Sequence, residues 1–240
     1  MRRPCPGRRW STDMSNRKLA HTLRALAWLL RYPDAEARAA LPALVGALRA
    51  EAALPAPRLD ELDLLATRLA ALPPMRVEAD YVDLFDRSRQ TSLHLFEHVH
   101  GDSRDRGPAM IDLAQTYERA GLRLAEGELP DYLPVVLEFA STQPPDAARA
   151  FLAETAHIVR AIFSALVKRN SGYASVLAAV LDLAGERAEA VVLADEPPLD
   201  ETWEEPAPFE GCSTAGQSKP GQPQPIHIVP PATAQARHVV

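Results

Sequence analysis

Leu19, Leu23, Leu26 and Leu30 recur at i, i+4, i+7 and i+11, and no stretch of this chain alternates apolar and polar residues long enough to make a useful strand. A leucine stripe of helical period buries one side of a helix and leaves the other in water. The stripe returns at Leu59, Leu62, Leu65, Leu69 and Leu72, and proline punctuates the chain between such runs. Pro33 stops the first helix, and Asp34 is placed to cap a second that runs to about Ala53, kinked or split at Pro42. Pro73-Pro74 closes the third, and Val77, Tyr81, Leu84 and Phe85 carry the pattern into a fourth.

Beyond a charged central stretch, Pro108 suits the first position of a helix whose apolar side is Met110, Ile111, Leu113, Ala114 and Tyr117, with Gly121 near its end. Pro130-Asp131 opens another, containing Leu133, Val136, Leu137 and Ala140. Asp146 to Lys168 is a long helix, with Phe151, Ile158, Ile162, Phe163 and Leu166 as its core. Ser171 can cap a last one, using Val176, Leu177, Val180, Leu181 and Ala184. Hydrophobic content is 47%, mostly Ala and Leu rather than β-branched residues, which favours helices. The fold class expected is all-α: a single-domain helical bundle over 18–194.

The ends differ from the body. Residues 1–18 hold six basic groups and one acidic; Met14 stands just before the first helix, so 1–17 is either a disordered leader or follows a start called too early. A secretory signal is rejected because the amphipathic stretch after it is broken by His21, Arg24 and Arg31 and lacks a contiguous apolar region. Residues 195–240 hold nine of the 22 prolines and seven acidic groups against two basic ones. Such a segment cannot bury enough surface to offset its ordering entropy and is expected to be a disordered acidic tail. Cys5 and Cys212 lie far apart in these ends, which gives no disulfide framework and makes a reducing cytoplasm the default. No apolar run approaches the ~20 residues that span a bilayer. The net charge of −6 argues against nucleic acid as a partner.

Chemistry concentrates in residues 78–107, EADYVDLFDRSRQTSLHLFEHVHGDSRDRG. HLFEH at 94–98 matches the inverted zinc-protease pattern, with His94 and His98 one helical turn apart and Glu97 beside them. A zinc-dependent hydrolase is therefore the alternative reading. It requires a third ligand, for which Glu138, Glu154, Glu186 and Glu189 are undistinguished candidates. The plain reading is a hydrogen-bonded helix surface whose other side, Leu95, Phe96 and Val99, is core. GDSRDRG at 101–107 reads as a locally paired, shaped connection. There is no phosphate loop, no dinucleotide-binding glycine run after a strand and no nucleophile elbow.

EADYVDLF (78–85), SLHLFEHVHGDSRDRGPAMIDL (92–113) and ELPDYLPVVLEF (128–139) closely resemble the maturation chaperones of respiratory nitrate reductase, its so-called delta subunits. These are a branch of the all-helical chaperones dedicated to molybdoenzymes of the dimethyl-sulfoxide-reductase type. LLRYPD (29–34), LDETWEEPAPFEGC (199–212) and QPIHIVP (224–230) look like the same branch, so the resemblance touches nearly all of 19–230.

The resemblance implies a cytoplasmic, non-enzymatic chaperone. Its client is the apo catalytic (alpha) subunit of respiratory nitrate reductase, chiefly the N-terminal segment, held for insertion of the molybdopterin guanine dinucleotide cofactor and an iron–sulfur centre. The chaperone itself keeps no permanent cofactor or metal, works alongside molybdenum cofactor biosynthesis proteins, and makes no stable membrane insertion. The wider family's Tyr-x-x-Leu-Phe motif falls on Tyr81, Leu84 and Phe85. Its Asp-His-x-Pro motif falls on Asp131, Tyr132 and Pro134, with Tyr132 where other branches carry His, followed by Glu138 and Phe139.

A peptide with apolar anchors and basic residues needs a groove with an apolar floor and an acidic rim. The floor expected is Tyr81, Phe85, Phe96, Tyr132, Leu133 and Phe139. The rim expected is Asp83, Asp86, Glu97, Asp131 and Glu138. Leu84, Pro134, His94 and His98 complete the candidate peptide-binding set, with Tyr81, His98 and Asp131 leading it.

Overall fold

A computed structural model describes residues 18–192 apart from Asp102. The leader at 1–17, the acidic tail at 195–240 and both cysteines lie outside the described residues. Nine α-helices and one short 3-10 turn make up the architecture of the described residues. In chain order they are α1 (Ala20–Leu29), α2 (Ala35–Glu51), α3 (Ala56–Ala71), α4 (Pro74–Phe85), α5 (Leu95–Val99), α6 (Arg106–Arg119), α7 (Leu133–Thr142), α8 (Pro145–Lys168) and α9 (Ala174–Ala184). The 3-10 turn covers Arg89–Thr91, and the sole β-type pairing among the described residues is an isolated bridge between His94 and Tyr132. The all-α class holds.

The leucine stripes become the core. Leu23, Leu26 and Leu30 of the first stripe are fully buried, as are Leu62, Leu133, Leu137, Ile162, Leu166, Leu177 and Leu181. Each such side chain contributes about 1.5–3 kcal/mol by leaving water. α8 packs along α9, and α1 packs against both α2 and α7.

Helix ends are satisfied partly from a distance. Asp34 accepts the Ala37 N–H at 2.8 Å, as its N-cap position requires. The first turn of α1 borrows its cap: Glu51, at the end of α2, accepts the N–H groups of His21 and Thr22 at 3.3 and 2.6 Å. Arg38 reaches from α2 to the carbonyls of Leu69, Ala70 and Leu72 at the end of α3.

Four expectations change. α2 runs unbroken through Pro42, so the helix is not split there. The lost main-chain bond is offset by Leu41 and Leu48, which bury on either side of it. α7 begins at Leu133 rather than at Pro130-Asp131. α6 begins at Arg106, which puts Pro108 at its third position, and it buries only Tyr117, leaving Ile111 58% exposed. α8 is long and apolar enough by length and composition to cross a membrane. Half of that stretch is committed elsewhere: Leu152, Val159, Ile162 and Leu166 are wholly inside the bundle.

Candidate functional site

The chain from Leu93 to Leu95 lies antiparallel to the chain from Asp131 to Leu133. Leu133 N–H donates to the Leu93 carbonyl at 2.9 Å, and Leu95 N–H donates to the Asp131 carbonyl at 3.0 Å. Leu93, Leu95 and Leu133 are buried, which fixes the register from below. Above them the rings of His94 and Tyr132 stack, with centroids 5.1 Å apart and planes 29° from parallel.

Asp131 is completely buried, and its Oδ2 accepts the N–H of Phe96 at 3.0 Å. It therefore caps α5, not α7, satisfying one of the orphan donors of a helix start from 35 residues away. Its Oδ1 faces His94 Nδ1 at 3.5 Å, and these two buried atoms have no other partner. Arg106 Nη2 stands 3.9 Å from Asp131 Oδ2 and 3.5 Å from Glu97 Oε1. One carboxylate thus ties together the start of α5, the start of α6 and the His94 ring.

Beside this pair of segments, the end of α4 presents its aromatics. Tyr81 is 4% exposed; its hydroxyl donates to the Leu30 carbonyl at 2.7 Å and lies 3.3 Å from the Tyr132 hydroxyl. The Tyr81 ring meets Phe85 at 4.8 Å, Tyr32 edge-on at 5.6 Å and Tyr173 at 6.1 Å. Burial pushes the phenols of Tyr81, Tyr132 and Tyr173 above their ordinary value. Together these elements enclose a cavity of about 520 Å³, walled by Arg31, Tyr32, Tyr81, Phe85, Asp86, Leu93, His94, Glu128, Leu129 and Tyr132. Its floor is aromatic and its rim carries both charges.

The expected groove residues do not all meet here. Tyr81, Phe85, His94, Tyr132 and the rim residue Asp86 share this cavity. Leu84 and Asp83 line a separate cleft of about 230 Å³ with Arg169 and Tyr173. Glu138 and Phe139 line a third, of about 340 Å³, with Arg24, Trp28 and Tyr117. Pro134 is buried in the first turn of α7. Phe96, Glu97 and His98 sit on α5, outside the cavity wall. Arg31, Tyr32, Glu128 and Leu129 were missed as wall residues, although RYPD and ELPDYL both stand out in the sequence.

The zinc pattern loses its premise in the same place. α5 has five residues and starts at Leu95, so His94 precedes it in extended conformation instead of sharing a helical face with His98. His98 Nε2 donates to the Ser92 carbonyl at 2.9 Å, and His94 Nδ1 turns to Asp131. Among the described residues no group of three His, Cys, Asp or Glu side chains is arranged to hold a metal ion.

The family model of the nitrate reductase delta subunit matches residues 33–179. The chain belongs to that family. Within the delta subunit family, the nitrate reductase molybdenum cofactor assembly chaperone NarJ of Escherichia coli (strain K12) is 39% identical over 187 residues, covering 74% of this chain and 79% of the relative. The probable nitrate reductase molybdenum cofactor assembly chaperone NarJ of Bacillus subtilis (strain 168) is 38% identical over 160 residues, covering 67% and 86%. Both relatives are assembly chaperones by name, not catalysts. A solved putative redox enzyme maturation protein from Archaeoglobus fulgidus overlays with a TM-score of 0.49 at 21% identity, covering 70% of this chain and 94% of the other. Every wall residue of the cavity except Arg31 and Tyr32 falls inside the span matched to the delta subunit family.

Proposed function

We propose that this delta subunit family protein is an assembly chaperone that holds the N-terminal segment of the apo catalytic subunit of respiratory nitrate reductase in the cytoplasm. The segment stays bound while the molybdopterin guanine dinucleotide cofactor and the iron–sulfur centre are inserted, with molybdenum cofactor biosynthesis proteins delivering the former. The single observation that carries the reading is the cavity above Tyr81 and Phe85. It offers stacked and edge-on rings for an apolar side chain, with Asp86 and Glu128 at the rim for a cationic neighbour.

A recognition role also fits what the site lacks. Among the described residues, no nucleophile is paired with a base in the cavity wall. In this reading Asp131 acts through α5 and His94, shaping the wall, whereas Tyr132, His94 and Leu129 touch the bound segment.

The test is capture of the apo catalytic subunit from cells that lack the membrane subunit. Wild type returns it; Leu129→Asp, which places a charge on an exposed wall residue, loses it. Capture by neither protein contradicts the proposal.

A further inference from the structure

The 340 Å³ cleft and the 520 Å³ cavity are two ends of one trough. α1 and the turn after it supply one wall of both: Arg24 and Trp28 line the cleft, and Arg31, two residues past the end of α1, lines the cavity. The α7 segment supplies the other: Tyr132 lines the cavity, and Val135, Phe139 and Thr142 line the cleft.

The two walls run antiparallel. Arg24 Nε donates to Ser141 Oγ at 3.2 Å at one end, and the Tyr81 hydroxyl links the Leu30 carbonyl to Tyr132 at the other. Above the trough passes the loop from Gly121 to Pro130, and its Glu128 lines both compartments. Gly121 and Gly127 adopt φ of +82° and +86°, which lets the loop turn sharply on each side of its crossing.

The cleft has its own chemistry. Trp28, Tyr117 and Phe139 make an aromatic floor, and Arg31 lies over the Trp28 ring at 4.8 Å. Arg24 and Arg123 are exposed at its edge; Glu128 and Glu138 line the cleft with them, but among the described residues neither guanidinium pairs with a carboxylate. Among the described residues, Arg24 is engaged through its Nε alone. A ligand that brings an apolar side chain and a carboxylate finds partners for both.

We propose that the client segment continues past the cavity along the α1–α7 trough, setting a second apolar side chain on Trp28 and Phe139 and an acidic side chain against Arg24 and Arg123. This rests on the peptide-holding reading above and extends its footprint. Tyr132 of the cavity caps α7 and Phe139 of the cleft lies seven residues on, about 10 Å along that helix. The two apolar anchors of the segment are then separated by about three residues if it is extended, or by about seven if it is helical.

Trp28 reports on the cleft once Trp10→Phe and Trp203→Phe leave it as the sole indole. A synthetic peptide of the client's N-terminal segment should move Trp28 emission to shorter wavelength. Arg123→Glu, at an exposed position with no ion-pair partner among the described residues, should weaken that peptide about tenfold. A shortened peptide that keeps only the first anchor should leave both emission and the Arg123→Glu comparison unchanged. If calorimetry shows the full peptide binding while Trp28 emission stays still and Arg123→Glu binds as wild type does, the second compartment is wrong and the cavity reading stands. If the wild-type chain does not bind the full peptide, the cavity reading and its extension both fall.

Discussion

Asp131 and Phe96 are 35 residues apart in sequence, yet the carboxylate of one accepts the main-chain N–H of the other at 3.0 Å inside the protein. Because His94 and Arg106 address the same carboxylate, its removal strands the Phe96 N–H and the His94 ring and leaves Arg106 with Glu97. Asp131→Ala is expected to destabilise the fold by about 2–4 kcal/mol in urea denaturation, the scale of losing one partner from a buried charged network. Asp131→Asn, which keeps an acceptor for Phe96, should cost clearly less.

Tyr81 separates ring from hydroxyl. Its OH donates to Leu30 and its ring packs on Phe85, Tyr32 and Tyr173. Tyr81→Phe should cost about 1 kcal/mol and keep the cavity floor, whereas Tyr81→Ala should cost about 3–5 kcal/mol and open it. Thermal melts of the two variants check the ordering.

The helical frame was legible because each leucine stripe is a local signal, and five of the helices, α2, α3, α4, α7 and α8, begin or end beside a proline or a capping Asp that the sequence displays openly. The site was legible as a set of residues and not as an arrangement. His94 and His98 look like one helical face until Leu93 and Leu95 pair with the chain at 131–133, which no local pattern records. Asp131 looks like the start of α7 for the same reason, its true partner being a distant N–H. Met110, Leu113 and Ile111 have helical spacing, but α6 touches the bundle mainly through Tyr117, so periodicity overstated their burial. Leu84 and Phe85 are neighbours in sequence and face different cavities, as adjacent helical positions must.

α6 should therefore be the weakest of the long helices. Its attachments are Arg106 to Glu97 and Asp131 at one end, and at the other the Tyr117 hydroxyl, which donates to the Pro130 carbonyl at 2.8 Å, with the Tyr117 ring on Phe139 at 4.5 Å. Hydrogen exchange should show its amides opening well before those of α7 and α8, and Tyr117→Phe should widen that difference.

Alkaline pH should unfold the protein through its phenols. Burial raises the folded-state values of Tyr81, Tyr117 and Tyr173 above the ordinary value near 10. A raised folded value gives stability that is complete below the unfolded value and lost as pH climbs above it. Ultraviolet tyrosinate absorbance should therefore stay low for these three until the helix signal collapses, and the two transitions should coincide.

The most direct test of the account is calorimetric titration of a synthetic N-terminal peptide of the nitrate reductase catalytic subunit into the wild-type chain and into Tyr132→Ala and Leu129→Asp. Saturable one-to-one binding to wild type, weakened at least tenfold in both variants, is the result expected from a segment seated between Tyr81, His94 and Tyr132. Equal affinity in all three proteins would place the client elsewhere and contradict the assignment of this cavity.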